Sequence, residues 1–217
     1  MTDILCGSNY FYYICELILG LFPIFSLHMT KNDFILEIYK DDRTVFRLSD
    51  IAMLFSQEDI IFLSDRLNYY VHTNKILNPR KGIYAKSGYN PLELANILYT
   101  PSYISLEYVL QRSGIVFQYD SSYTSISYLS RSIGINGKTY SYRRIKEEII
   151  MDTTGIIRDQ NINIAIPERA FLDILYLNKD FYVDNINPLD KQLIENILPI
   201  YKSVALEKRV ANLIQNG

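Results

Sequence analysis

The stretch from Thr30 to Lys86 constrains the fold most, because its hydrophobic period switches from helical to alternating within a short span. Lys31 to Tyr39 reads as a short helix with Thr30 as N-cap and Phe34, Ile35 and Ile38 on one face. Asp41-Asp42-Arg43 is a turn, and Thr44 to Leu48 (TVFRL) a short strand. Ser49 caps a second helix, Asp50 to Phe55. Ser56 opens a third with Asp59 in an approximate capping box. At 100° per residue the third helix, Glu58 to Asn74, turns Ile60, Leu63, Leu67, Tyr70 and Val71 inward. Asp65, Arg66, Asn68, Tyr69 and His72 face outward. Lys75 to Leu77 and Ile83 to Lys86 are then two strands about the turn Asn78-Pro79-Arg80-Lys81-Gly82.

Three short helices followed by a hairpin with cations at its tip predict a winged helix-turn-helix over residues 30–87. In that arrangement Arg66, Asn68, Tyr69 and His72 are the groove-reading set, because they are long and donate hydrogen bonds. Lys75, Arg80 and Lys81 neutralise phosphates and supply salt-dependent affinity. The competing reading is a winged helix that contacts only protein. The net charge of -2 excludes a generally basic nucleic-acid coat and leaves room for a local basic face. Two stretches are strongly one-signed. Ser64 to Gly88 holds Arg66, Lys75, Arg80, Lys81 and Lys86 against Asp65 alone, and Arg131 to Lys146 holds Arg131, Lys138, Arg143, Arg144 and Lys146 with no acid.

Residues 1–29 are a separate extension. Tyr10 to Leu27 is almost continuously apolar, broken by Glu16, Gly20, Pro23 and Ser26. The preceding MTDILCGSN has no Lys or Arg and no A-x-A-like site follows, which argues against a signal peptide. Glu16 near its middle and the lack of basic flanks before Lys31 argue against a membrane span. A translated leader before a start at Met29, or an apolar helix packed on the protein, are the other readings. Cys6 and Cys15, with His28 and His72, are too few for a disulfide framework or a four-ligand zinc site, and a reducing cytoplasm is the simplest setting.

Residues 88–217 mix helices and strands without a βαβ rhythm, which predicts an α+β domain. Helices are expected at 91–99, 105–113, 168–177, 189–198 and 201–215, with a break at Thr100-Pro101-Ser102. Strands are expected at 115–119, 123–129, 139–146 and 162–166, with a further hairpin over 149–157 around 152–155. The chain has no P-loop, no dinucleotide fingerprint, no G-x-S-x-G and no [DE]-x-K, so no catalytic residue, metal site or cofactor is expected. Glu147, Glu148 and Asp152 read as solvated acids, Glu168 as a helix-dipole partner, and Asp173 as the i+4 partner of Arg169.

Leu92 to Val116 (LELANILYTPSYISLEYVLQRSGIV), Thr139 to Lys146 (TYSYRRIK) and Ile164 to Leu177 (IAIPERAFLDILYL), with the wing-like Arg80 to Ala85, resemble the AbiEi family of type IV antitoxins. The resemblance covers Thr44 to Leu177 and leaves out residues 1–30 and the C-terminal helices. It implies an N-terminal winged helix that binds an inverted-repeat operator in double-stranded DNA and represses its own operon. It also implies a C-terminal antitoxin domain that counteracts a cognate nucleotidyltransferase toxin without a stable complex, in abortive infection. By the same resemblance Arg80 and Lys81 match the wing and Arg143, Arg144 and Lys146 the basic strand, while Pro167 to Ala170 is fold-forming.

Overall fold

A computed structural model describes residues 31–55 and 59–216. The extension 1–29, the cap at Thr30 and the capping box begun by Ser56 lie outside the described residues. By compactness the chain divides into residues 1–37 and residues 38–217. Of the first unit, the described part is the start of helix α1 (Lys31–Lys40).

In the second unit β1 (Val45–Arg47) leads into α2 (Leu48–Leu54), α3 (Ile60–His72) and the hairpin β2 (Leu77–Arg80) and β3 (Ile83–Ala85). The three strands form an antiparallel sheet in the order β1-β3-β2. Helix α2 starts two residues earlier than Ser49 would set it. Arg47 is its N-cap, and the Asp50 carboxylate accepts the Arg47 N–H at 2.9 Å. The hairpin turn is also tighter than the expected 78–82. Asn78 Nδ2 donates to the carbonyls of Arg80 and Ile83, so Arg80 lies in β2 and only Lys81 and Gly82 make the turn. Gly82 has φ +77, the left-handed value such a turn requires. Pro79 is tolerated because β2 is an edge strand. In α3 Leu63, Leu67 and Tyr70 are buried, but Ile60 is 55% exposed because it is the first helical residue, past the reach of the core.

The remainder is α+β. Helix α4 (Pro91–Leu98), β4 (Ser102–Ile104) and α5 (Glu107–Arg112) precede β5 (Tyr123–Ser127), β6 (Arg131–Ile135) and β7 (Lys138–Arg144). Then come α6 (Glu147–Met151), β8 (Ile156–Asp159), β9 (Ile162–Ala165), α7 (Pro167–Leu177), α8 (Lys191–Ile197), a 3₁₀ turn at Leu198–Tyr201 and α9 (Val204–Asn216). The six-stranded sheet has the order β6-β7-β5-β4-β9-β8, mixed in direction. Tyr103 shares a face with its partner Ile126, which pairs with Arg143; Tyr142, one residue earlier, points the other way. Tyr142 Oη donates to the Ala95 carbonyl of α4, whereas Tyr103 Oη donates to Asp173 of α7, so the sheet lies between these two helices.

Three expectations differ. Residues 115–119 are not a strand: the Ile115 carbonyl accepts the N–H groups of Asp184 and Asn185, and Phe117 N–H goes to Asp184 Oδ2, so a loop satisfies this backbone. Residues 149–151, expected as the first arm of a hairpin, belong to helix α6, and the hairpin there joins β8 to β9. Finally, Ser102–Ile104 is a strand where a break over 100–102 is expected, and Arg131–Ile135 is one where the sequence predicts no element, because pairing with β5 and β7 overrides their Ser and Gly content.

One core joins these parts. Val45, Ile83 and Ala85 of the small sheet belong to the same buried cluster as Leu94, Tyr142, Phe171 and Leu206. The Glu93 carboxylate at the base of α4 accepts Thr44 N–H, Thr44 Oγ1–H and Val45 N–H at 2.6, 2.9 and 3.1 Å.

Candidate nucleic-acid interface

On α3, Asp65, Asn68, Tyr69 and His72 are exposed, with Leu63, Leu67 and Tyr70 behind them. Arg66 is half-buried, its guanidinium 5.1 Å from the Phe62 ring. Lys75 is exposed beyond the helix end, its ammonium 5.6 Å from the Tyr70 ring centre, and its carbonyl accepts the Tyr39 hydroxyl at 2.8 Å. The outward face of α3 also carries Ile61 and Phe62, at 70% and 56% exposure. Its first turn is therefore apolar where a groove-reading helix would be expected to be polar.

The hairpin cations gather around Arg80. Arg80 and Lys81 line a shallow notch of about 460 Å³ together with Arg47, Ser49 and Gly82, and no acid lines it among the described residues. Arg47 was read from the sequence only as a strand residue. Its guanidinium donates to the Ile97 carbonyl at 2.7 Å and the Thr100 hydroxyl at 2.5 Å, which fixes it at the notch wall. Nothing in the linear pattern marks this position; it depends on α4 passing beside β1.

Arg80 also connects the two basic stretches. Its guanidinium lies 5.2 Å from the Tyr99 ring, and Tyr99 meets Tyr142 edge-on at 4.8 Å. Burial pushes the Tyr142 phenol up, and the charge of nearby Arg80 pulls against that shift. Arg131 on β6 is the register partner of Tyr142, and Arg144 follows two residues later on the same face of β7. Lys138 is on this face as well, with its ammonium 5.9 Å from the Tyr89 ring and 6.0 Å from the Tyr123 ring. Arg143 projects from the opposite face of the sheet, and Lys146 lies past the strand as the N-cap of α6. All five of these C-terminal cations are exposed. The arrangement therefore unites Arg47, Arg80 and Lys81 in one notch, sets Arg131, Lys138 and Arg144 on one face of the large sheet, and puts Arg143 on the other.

The acids weighed for metal chemistry are dispersed. Glu148 pairs with Lys202 at 3.2 Å, and Asp152 accepts Thr154 N–H at 2.9 Å; the Thr154 side chain first, and then this N–H, hold its carboxyl below the usual range. Glu168 Oε1 accepts the Asp190 N–H at 3.0 Å. Arg169 and Asp173 are both fully buried, and Asp173 accepts hydroxyl hydrogens from Ser105, Tyr103 and Tyr201 at 2.8, 3.2 and 2.7 Å. Among the described residues, no helix is long and apolar enough to cross a membrane. Compared with protein-family models and with the sequences of curated proteins, the chain finds no match.

Proposed function

We propose that the protein is a DNA-binding autorepressor and antitoxin of the AbiEi type, in which α2, α3 and the β1-β3-β2 sheet act as a winged helix. The observation that carries this reading is the acid-free notch that gathers Arg47, Arg80 and Lys81. Positive groups spaced along one surface suit successive phosphates, and backbone contacts of this kind position a protein on a duplex. Asn68, Tyr69 and His72 are then the groove-facing residues, and the C-terminal α+β part is the antitoxin domain opposing a nucleotidyltransferase toxin.

The test is binding to a duplex carrying the inverted repeat upstream of the protein's own reading frame, measured against salt. Binding should weaken steeply with salt, and the joint change Arg80→Ala with Lys81→Ala should lower the log–log slope by about 2. Arg143→Ala should leave the slope closer to wild type than Arg131→Ala does. Salt-independent binding that survives the double change defeats the proposal.

A second reading, protein contact without DNA, is favoured by one observation. Met53, Leu54, Ile60, Ile61 and Phe62 are exposed at the end of α2 and the start of α3. Loss of a stable protein complex on Phe62→Ser, with no duplex shift in the wild type, would select it.

A further inference from the structure

β8 ends the six-stranded sheet and pairs with β9 alone, Arg158 opposite Asn163 and Asp159 opposite Ile162. In an antiparallel pair, facing residues alternate between exchanging both main-chain bonds and exchanging none. Asn163 donates its N–H to Asn96 Oδ1 at 2.6 Å, so Arg158 and Asn163 are a pair that exchanges none. The two-residue turn at Gln160 and Asn161 agrees, because it makes Asp159 and Ile162 the bonded pair that closes the hairpin. Arg158 N–H, Arg158 C=O and Ile156 C=O therefore point away from β9, and none of the three has a partner among the described residues. The Ile156 N–H is already held by the Thr153 carbonyl at 2.9 Å.

Side chains along this edge alternate between the two faces of the sheet. Ile156 and Arg158 share one face and line a concavity of about 610 Å³, whose other apolar walls include Ile97, Pro101 and Ile150. Ile157 and Asp159 lie on the opposite face, Ile157 at 52% exposure. A second copy of β8 fits this edge poorly. A two-fold axis that brings the two Arg158 side chains together opposes like charges. One that sets Arg158 against Ile156 loses a bond on each side, since the Ile156 N–H is taken.

We propose that the β8 edge binds an extended segment of another protein by antiparallel strand addition, the segment reading basic, acidic, apolar, apolar. Unpaired main-chain groups of this spacing select a peptide, and the side chains of β8 select its sequence. The basic residue faces Asp159. The acidic residue faces Arg158 and exchanges two main-chain bonds with it. The first apolar residue covers Ile157, and the second meets Ile156 at the concavity and donates its N–H to the Ile156 C=O. The inference does not depend on DNA binding and would stand if that reading failed.

The experiment is an amide NMR titration of the full chain with the capped hexapeptide Thr-Lys-Asp-Val-Val-Thr. Saturable shifts over Ile156–Asp159 are expected, with the Arg158 amide protected from exchange in the complex. N-methylation of the peptide's Asp removes the donor to the Arg158 C=O and should weaken binding about tenfold. The same methyl on the first Val, whose N–H points away from β8, should change it by less than about twofold. Arg158→Glu, an exposed substitution that spares the core, should weaken binding about tenfold, and Lys in place of the peptide's Asp should restore it. No saturable shift, or binding indifferent to methylation at Asp, would overturn the proposal. Shifts at the same amides on raising the protein concentration alone would give the edge to a second copy and overturn it equally.

Discussion

Arg169 and Asp173 illustrate how a spacing visible in the chain acquires its meaning from burial. The i,i+4 pair is legible in the sequence, but a pair that close on a helix is ordinarily solvated and weak. Here Arg169 Nη1 and Nη2 donate to the carbonyls of Thr154 and Ile149, with Tyr103 Oη as a further acceptor. Burial pushes the Asp173 carboxyl up, while Arg169 and three hydroxyl donors pull it back. Removing one partner strands a charge, so Arg169→Met should cost about 3–5 kcal/mol in urea unfolding. The double change Arg169→Met with Asp173→Leu should cost less than either single change, a coupling that a double-mutant cycle measures directly. At Asp41 the pair is local and exposed enough to titrate. The Arg43 guanidinium, bonded through two nitrogens, holds the Asp41 carboxyl below its usual range. A lowered folded-state value means stability present above the unfolded-state value and lost as pH falls through the folded one. Asp41→Asn should therefore lower the melting temperature at pH 7, and the difference should close as pH falls through and below the lowered folded-state value.

At the scale of elements, α7 departs furthest from its sequence pattern. Phe171, Leu172, Leu175 and Tyr176 read as one apolar stripe, which implies a helix with a wet side. In the structure every residue from Glu168 to Leu175 is buried, because α5, α8 and α9 pack around a helix already lying on the sheet. The polar residues of the supposed outer side are those that build the Arg169–Asp173 network. The turn before β8 closes on the same helix at Gly155, which has φ +75 and whose carbonyl accepts the Ile166 N–H at 2.9 Å. An added Cβ there would meet Arg169 Cβ and Ile197 Cδ1, both at 3.0 Å. Gly155→Ala should thus destabilise by about 1–3 kcal/mol, more than the same change at the open Gly134, as thermal unfolding of the two variants would show. Strong local signals such as Asn90-Pro91 and Ile166-Pro167 set the starts of α4 and α7 in agreement with the sequence reading. The elements it missed, β4 and β6, are short strands whose identity comes from their neighbours, and propensity alone does not encode that.

Across the whole of residues 38–217 the same principle governs the candidate interface and the stability of the fold. The two basic runs are legible as composition, yet their meeting at Tyr142 and the recruitment of Arg47 depend on α4 holding the small sheet against the large one. That attachment is physical and specific. Val45 and Ala85 are 0% and 1% exposed within the common core, and one oxygen of Glu93 satisfies three donors of Thr44 and Val45. A buried cluster shared in this way leaves neither sheet with a complete core of its own, so both should unfold in one cooperative step. Hydrogen exchange reads this residue by residue: the amides of Tyr84 and Ala85 in β3 should open with the same free energy as those of Ile126 and Tyr140. Glu93→Leu strands the Thr44 and Val45 N–H groups and should lower both values together, by about 1–3 kcal/mol. If the β3 amides weaken alone while Ile126 and Tyr140 keep their protection, the small sheet is an independent unit, and the Arg80–Tyr99–Tyr142 alignment is a docked arrangement and not part of the folded core.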